Sequence, residues 1–481
     1  MKNTYALRRL LPLFLAVLMI LGACSEPVSD LPDKPSVSMS DNGNEKAEPR
    51  PAACFGLFPE HGELAVDGSQ LVNEAGDAFV LKGISTHGLT WYSEYVNMDS
   101  FKTLRDDWGV NLIRLAMYTA ESNGYCISSD SRKEELKEIV SRGVDCATEL
   151  GLYVIVDWHI LTDENPNLYK EDAKEFFAYM AKKYAGNGNV LYEICNEPNG
   201  DTSWEEICDY ANEVIPVIRE YDDDGIIIVG TPSWSQAINQ AASNPLSQYD
   251  NIMYTLHFYA ATHGNWLRVR MQRAIEDYAL PVFVTEFGIT DASGTGAVNV
   301  PEGEEWLALL DEYNVSRCIW SLSNKDETSA LLDKNCEKLS DWKDSDLTFC
   351  GKWYKNLLGN HGESTVSSSN VIMDATEAGC EGRAEIVNSW NSGSKYYCQC
   401  LVTVENKGEN VVSSWRITIK FSTEVKQSQL PWNGSFMYDG DTVTVAPVAF
   451  NSSISPKSTV TDIGFIVESD KPIEITEVTL E

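Results

Sequence analysis

The chain has 481 residues, 43% hydrophobic and 23% charged, which is enough for two or three folded domains and too apolar for a disordered chain. Its formal net charge of −35 leaves no basic field to gather phosphates, which excludes a nucleic-acid partner. Such a balance suits an exported protein acting on a neutral polymer.

Residues 1–23 have the layout of an export signal: basic Lys2, Arg8 and Arg9, then an apolar core Leu10–Leu21 too short for a stop-transfer helix. The ending Leu21-Gly22-Ala23-Cys24 resembles a bacterial lipoprotein signal. It implies cleavage before Cys24, lipidation of that cysteine and a membrane partner reached through the lipid. Ser25 in the next position resembles outer-membrane sorting; an ordinary signal cut after Ala23, giving a secreted protein, is the alternative. Residues 24–53, rich in Ser, Pro, Asp, Glu and Asn, have the composition of a flexible tether.

From 54 to 358 short apolar strands alternate with amphipathic helices. The expected strands are Phe79–Ser85, Asn111–Met117, Tyr153–Asp157, Val190–Ile194, Gly225–Gly230, Ile252–Phe258, Val282–Thr285 and Cys318–Leu322. Helical stretches between them include Ser131–Leu150, Glu171–Tyr184, Glu205–Glu220 and Leu267–Tyr278. Eight such units over about 300 residues make an α/β fold of the (β/α)8 TIM-barrel type. A doubly wound sheet fits less well, since no glycine-rich phosphate turn follows the first strand. Residues 359–372 are linker-like. Residues 373–481 hold alternating strands, with turn signals at Asn406-Lys407-Gly408 and Asp439-Gly440-Asp441, and form a small all-β sandwich.

The chemistry centres on Leu191–Gly200, LYEICNEPNG. An apolar strand stops at Asn196-Glu197-Pro198 because proline cannot donate to a sheet ladder, so Glu197 is aimed from a strand's C-terminal tip. Glu286 ends a second apolar run, Pro281–Thr285, in the same way. In a barrel such tips face one site, where His87, Arg114, His159, Asn196, His257, Tyr259 and Trp320 are also expected. Two carboxylates facing each other across a cleft suit glycoside hydrolysis, one protonating the leaving oxygen and the other attacking the anomeric carbon. Twelve cysteines, eleven without Cys24, show no CxxC metal spacing, and no His-x-His pair follows the first strand; no metal and no cofactor are expected. Cys195, inside the fourth strand, is expected to be a buried thiol.

The segments LKGISTHGLTWY, NLIRLAMYT, YVIVDWHILTDENPN, VLYEICNEPNG, IIIVGTPSWSQ, YTLHFYAATHG, VFVTEFGIT and IWSLSNKDETSA run through all eight units. Together they resemble the family 5 glycoside hydrolases of clan A, and closely the secreted bacterial endo-β-1,4-glucanases. The resemblance implies retaining double displacement on cellulose, with Glu197 as acid/base and Glu286 as nucleophile. Glu197 must then hold its proton near neutral pH, which a neighbouring carboxylate favours, while Glu286 stays ionised beside Arg114 and Tyr259. The resemblance further implies that Asn196 holds the sugar 2-hydroxyl and that His257 joins the carboxylate network. His87 and His159 would contact sugar hydroxyls or orient the site. Trp320 would be the floor under the reactive sugar, with Tyr118, Trp91, Trp234, Lys325 and Glu327 as further substrate contacts. Asn324 departs from the histidine that related glucanases often carry there. Another β-glycan (mannan, xylan or mixed-linkage glucan) is the alternative substrate, and a non-catalytic glycan-binding surface protein the alternative class.

The C-terminal segments SWNSGSKYYCQCLVTVENKG, VSSWRITIKF, LPWNGS and VAFNSSISPKS resemble a family 2 carbohydrate-binding module. That resemblance implies a cellulose-stacking strip of Trp390, Trp432 and Phe450, with Trp415 in the core. The family's usual end-to-end disulfide has no cysteine near Glu481, which leaves Cys380 to pair with Cys398 or Cys400. The chain is expected to act as a monomer.

Overall fold

The computed structural model describes residues 53–359 and 379–480, apart from breaks at 393–394, 409–411, 413–414, 429–430, 432, 448–453 and 455. Cys24, Trp432, Phe450 and the side chain of Trp390 lie outside the described residues.

Eight parallel strands form the frame: β1 (Lys82–Thr86), β2 (Leu112–Tyr118), β3 (Tyr153–His159), β4 (Val190–Glu193), β5 (Ile227–Val229), β6 (Ile252–Thr255), β7 (Val282–Gly288) and β8 (Ser316–Leu322). Each pairs with the next, and β8 returns to β1, so the sheet closes into a barrel. Helices Asp130–Glu149, Lys170–Lys183, Trp204–Arg219 and Asn265–Tyr278 lie where amphipathic periodicity places them. Ser203 begins the third of these with a reciprocal capping box to Glu206.

All eight expected strands differ from the observed ones by one to three residues at an end; the seventh runs on to Gly288, so Glu286 lies inside it, and the first and sixth are cut short by bonds that leave the ladder. The first begins at Lys82 because Phe79 instead bridges to Cys54 and donates its N–H to the Leu71 carbonyl. The sixth stops at Thr255 because the His257 N–H leaves the ladder for the Ser235 carbonyl at 2.9 Å, and pairing resumes at Phe258–Tyr259.

The period of two decides what fills the barrel. On β3, Val154 and Val156 face the helices in the outer core, while Tyr153 and Ile155 join Leu112, Leu191, Ile228, Met253, Phe283 and Cys318 in an inner cluster. Leu64, Leu71 and Phe79 complete that cluster from a short helix (Phe58–His61), a hairpin (Ala65–Asp67 with Gln70–Val72) and the residues beside them. Tyr153 donates to the Gly62 carbonyl at 2.7 Å, which ties the helix to the barrel wall. These elements are too short to show periodicity, so the sequence does not announce them. At the barrel's other closure, the helix Phe349–Gly359 sends Tyr354 to donate to the Gly83 carbonyl of β1 at 3.0 Å.

The described residues between 380 and 480 form two four-stranded antiparallel sheets, with Val402, Val404, Trp415, Ile417, Ile419, Val443, Val445 and Phe465 buried in one cluster. Trp415 is a core residue. Asp439 pairs with Thr442 across a two-residue turn in which Gly440 takes a positive φ of 61°. The eleven described cysteines are all free thiols, Cys195 among them and buried. The expected bridge from Cys380 does not form. Cys380 pairs with Asn406 and Cys400 with Ile386, which separates the two cysteines by about 20 Å along the strand. Cys398 and Cys400 instead bring their Sγ atoms to 3.7 Å of each other.

A Cβ on Gly83 would lie 2.7 Å from the Leu112 carbonyl oxygen and 2.8 Å from Cys318 Sγ, inside a closed barrel with nowhere to move. Gly83→Ala should therefore destabilise the barrel by about 1–3 kcal/mol. Thermal unfolding of the full chain followed by tryptophan fluorescence would show the lowered midpoint, and an unchanged midpoint would mean that β1 can shift.

Candidate active site

Above the apolar layer the inward positions turn polar. Arg114, Asp157, Glu193 and Thr285 are fully buried there, and Glu197 and Glu286 lie one level higher, 9% and 5% exposed. Arg114 is the hub. It pairs with Glu193 through Nε at 2.7 Å and Nη2 at 3.2 Å, with Asp157 at 3.1 Å and with Glu286 at 3.2 Å. Its Nη2 also donates to Asn196 Oδ1 at 2.6 Å. Arg114 is expected at a strand tip but sits mid-strand, beneath the tips, because its long side chain reaches up from the buried layer. Burial opposes its charge, but Asp157, Glu193 and Glu286 outweigh that and hold it firmly protonated.

Glu197 and Glu286 face one another, and with His257 they bring one ligand-type atom each to within 4.8 Å of the others. That spacing is in the range of the roughly 5 Å that separates the carboxyls of a retaining pair. Their surroundings differ. Glu286 accepts from Tyr259 Oη at 2.8 Å and from Arg114, two donors that favour the ionised form. Glu197 Oε1 has His257 Nδ1 at 2.8 Å. Burial pushes the Glu197 carboxyl up to about 8, with Glu193 and Asp157 adding to the rise and Arg114 opposing it. The expected cause, a neighbouring carboxylate, is thus secondary to desolvation, and the contributing carboxylates lie below the site. Glu286 is raised too, by burial and then by Glu197, while His257 and Arg114 pull it back. The donors decide which acid keeps the proton: Glu197.

Burial lowers His257 to about 4, so its ring is neutral. Its Nε2 lies 2.8 Å from Thr285 Oγ1, and Thr285 donates to Glu193 Oε1 at 2.7 Å. With Glu197 protonated, the polar chain runs Glu197 to His257 to Thr285 to Glu193, every hydrogen assigned.

The aromatic wall is continuous. His159 stacks on Trp320 at 5.2 Å and lies 4.2 Å from Tyr118; Tyr118 is 5.0 Å from Trp91, and His87 is 5.0 Å from Trp320. Asp157 fixes His159 through Nδ1 at 2.6 Å. Lys325 bridges Glu327 at 2.5 Å and approaches His87 Nε2 at 3.3 Å. Asn324 turns away and donates to the Cys336 carbonyl. Trp234 stands apart from this wall, in a run in which Ser233, Trp234 and Ser235 all have positive φ (59°, 55° and 55°). Bonds to two neighbouring segments help hold the strained run: Trp234 N–H to the Pro198 carbonyl, Ser235 Oγ to the Asn196 carbonyl and the His257 N–H to the Ser235 carbonyl.

The Glu197, His257 and Glu286 set has metal-ligand chemistry on paper, but its atoms are committed. Both His257 nitrogens, both Glu286 oxygens and Glu197 Oε1 have protein partners, one of them a guanidinium.

Residues 72–326 match the family model described as cellulase (glycosyl hydrolase family 5). The chain belongs to glycoside hydrolase family 5. Within it, this family 5 chain is 50% identical over 294 residues to endoglucanase A of Butyrivibrio fibrisolvens, covering 61% of the chain and 68% of that relative. It is 47% identical to an endoglucanase of Clostridium saccharobutylicum, covering 69% and 72%. Among solved structures, the catalytic domain of Thermobifida fusca endoglucanase Cel5A has 38% identity and a TM-score of 0.60, covering 63% of this chain and all of that one. Residues 380–479 match the model described as a cellulose binding domain.

Sequence reasoning missed Asp157, Glu193 and Thr285. The signal was present for the first two, as single acids inside the apolar runs YVIVDWH and LYEI. Thr285 carries none, since threonine is ordinary in strands. Thr285→Val keeps the shape but removes both the acceptor for His257 Nε2–H and the donor to Glu193. Since that arrangement requires protonated Glu197, its loss should lower the Glu197 pKa by about one unit. The basic limb of kcat/KM, expected near pH 8, should move to lower pH in a pH-rate profile. A limb that stays in place would show the chain to be structural only.

Proposed function

We propose that Glu197 and Glu286 carry out retaining double displacement, and that this protein is an endo-β-1,4-glucanase that cuts internal bonds of cellulose. The observation that carries the reading is the asymmetric pair: two facing carboxyls, one given two donors and the other kept protonated by burial. In the first step a Glu286 oxygen attacks the anomeric carbon while Glu197 gives its proton to the departing glycosidic oxygen. In the second, ionised Glu197 takes a proton from water, which displaces Glu286 and restores both groups. Asn196 Nδ2 serves the Ile160 carbonyl at 3.1 Å and His159 at 3.3 Å; a sugar 2-hydroxyl can replace the longer contact. Trp320 and His159 form the stacked floor, and Trp91 extends it on the same side.

Glu286→Ala should abolish turnover of cellulose, and the wild type should release β-anomers first when products are followed by NMR. Azide should restore Glu197→Ala on an activated substrate, because a small anion can finish a reaction that lacks its base. Early α-anomers would mean inversion and a wrong nucleophile.

The C-terminal module is a cellulose-binding domain by its match, and Trp390, Trp432 and Phe450 are the proposed contact strip. The protein is further proposed to be a monomer, exported and lipid-anchored at Cys24, on the strength of the Leu-Gly-Ala-Cys signal. In cells fed labelled palmitate, the wild type should carry label in the membrane fraction and Cys24→Ala should not. An unlabelled wild type in the medium would favour simple secretion.

A further inference from the structure

Of the ten tryptophans between residues 54 and 358, seven are at most 7% exposed. The remaining three, Trp91, Trp234 and Trp266, are 38%, 38% and 42% exposed. All three follow barrel strands at the C-terminal rim: Trp91 after β1, Trp234 after β5, and Trp266 at the start of the helix after β6. The three bare indoles of the barrel thus all follow the C-terminal ends of strands, the end that also carries Glu197 and Glu286. Trp91 and Trp234 already have a reading as sugar platforms. Trp266 has none.

Its placement is built. The Arg270 guanidinium lies 5.1 Å from the Trp266 ring centroid and donates to the Gln236 carbonyl at 3.2 Å. One arginine thus braces the indole of Trp266 against the same loop that carries Trp234, two residues before Gln236. Trp266 is also 6.1 Å from the ring of His263, a buried group whose Nδ1 accepts from the Tyr259 N–H at 2.8 Å. Trp266 is therefore anchored at one end to the element holding the nucleophile's tyrosine and at the other to the Trp234 loop.

The loop tells which half of the substrate this surface meets. Trp234 donates its N–H to the Pro198 carbonyl at 3.0 Å, so the loop is tied to the strand tip that carries the acid Glu197. Glu197 protonates the departing oxygen, so the sugars beyond it are those of the leaving chain. Trp91, by contrast, joins Tyr118 and His87 on the Trp320 side. From this we infer that Trp266, braced by Arg270, is an outer platform for the leaving-group half of a β-1,4-glucan chain, beyond Trp234. The ligand is a neutral, extended oligosaccharide, whose apolar pyranose faces suit an indole. The inference rests on the glucanase reading of Glu197 and Glu286.

The test compares wild type, Trp266→Ala, Trp266→Phe and Arg270→Ala on cellotriose, cellotetraose, cellopentaose and cellohexaose. Trp266→Ala should lower kcat/KM on the longest substrate by about fivefold, which corresponds to about 1 kcal/mol, through KM and with kcat unchanged. The shortest substrate should show no change. Trp266→Phe should recover most of the loss, and Arg270→Ala, which frees the ring, should fall between. The cleavage pattern of cellohexaose should also move towards products with shorter leaving ends. A wild type that cuts these substrates while Trp266→Ala matches it at every length would overturn the platform alone. So would an equal loss at every length, which would mean an effect on the catalytic centre. A wild type that cuts none of them would instead overturn the glucanase reading, and the platform with it.

Discussion

Everything in the cleft depends on one buried cation. Arg114 has no exposure, and three carboxylates, Asp157, Glu193 and Glu286, converge on it. A guanidinium can meet several planar acceptors at fixed angles, which an ammonium cannot, so its position dictates theirs. With more acids than cations in a closed apolar barrel, burial raises every nearby carboxyl, and the proton settles where fewest donors arrive. That place is Glu197. Burial keeps a proton in the site, and the uneven supply of donors divides the two glutamates into a protonated and an ionised carboxyl.

The second constraint is mechanical. Glu197 sits past the end of its strand, on the Asn196-Glu197-Pro198 turn, and the neighbouring loop has to hold that turn still. Ser235 grips the Asn196 carbonyl, and Gly230 lies so close to Cys195 that a Cβ would come within 2.2 Å of its carbonyl oxygen. Three successive left-handed residues are the cost of wrapping the loop this tightly, and the same wrapping turns Trp234 out to solvent. The hold on Glu197 and the exposure of the Trp234 indole have one origin.

Much of this was legible in the sequence because period-two alternation and abrupt strand ends are local signals. The eight strands, and the gathering of Glu197, Glu286, His257, Tyr259 and Trp320 towards one end of the barrel, follow from them. What stayed hidden depends on depth. Arg114 looked like a rim residue because its chain position cannot reveal that its neighbours point inward below the tips. Glu193 and Asp157 were visible as acids in apolar runs, but their shared partner lies up to 79 residues away. The rise of Glu197 was expected from a nearby charge and comes first from desolvation, a property of the enclosed volume. The Cys380 bridge failed on register, which no count of cysteines supplies.

Tyr354 extends the argument to how such a chain assembles. Its hydroxyl meets the carbonyl of Gly83, 271 residues earlier, and its ring packs 5.8 Å from Phe287 of β7. The first strand therefore emerges from the ribosome long before the group that seals its flank. Until β8 arrives, 230 residues after it, β1 presents an unpaired edge, the kind of surface on which other chains aggregate, and the last helix comes later still. The catalytic domain accordingly extends past residue 326, where the match to the family model stops, to the helix that packs beside β1.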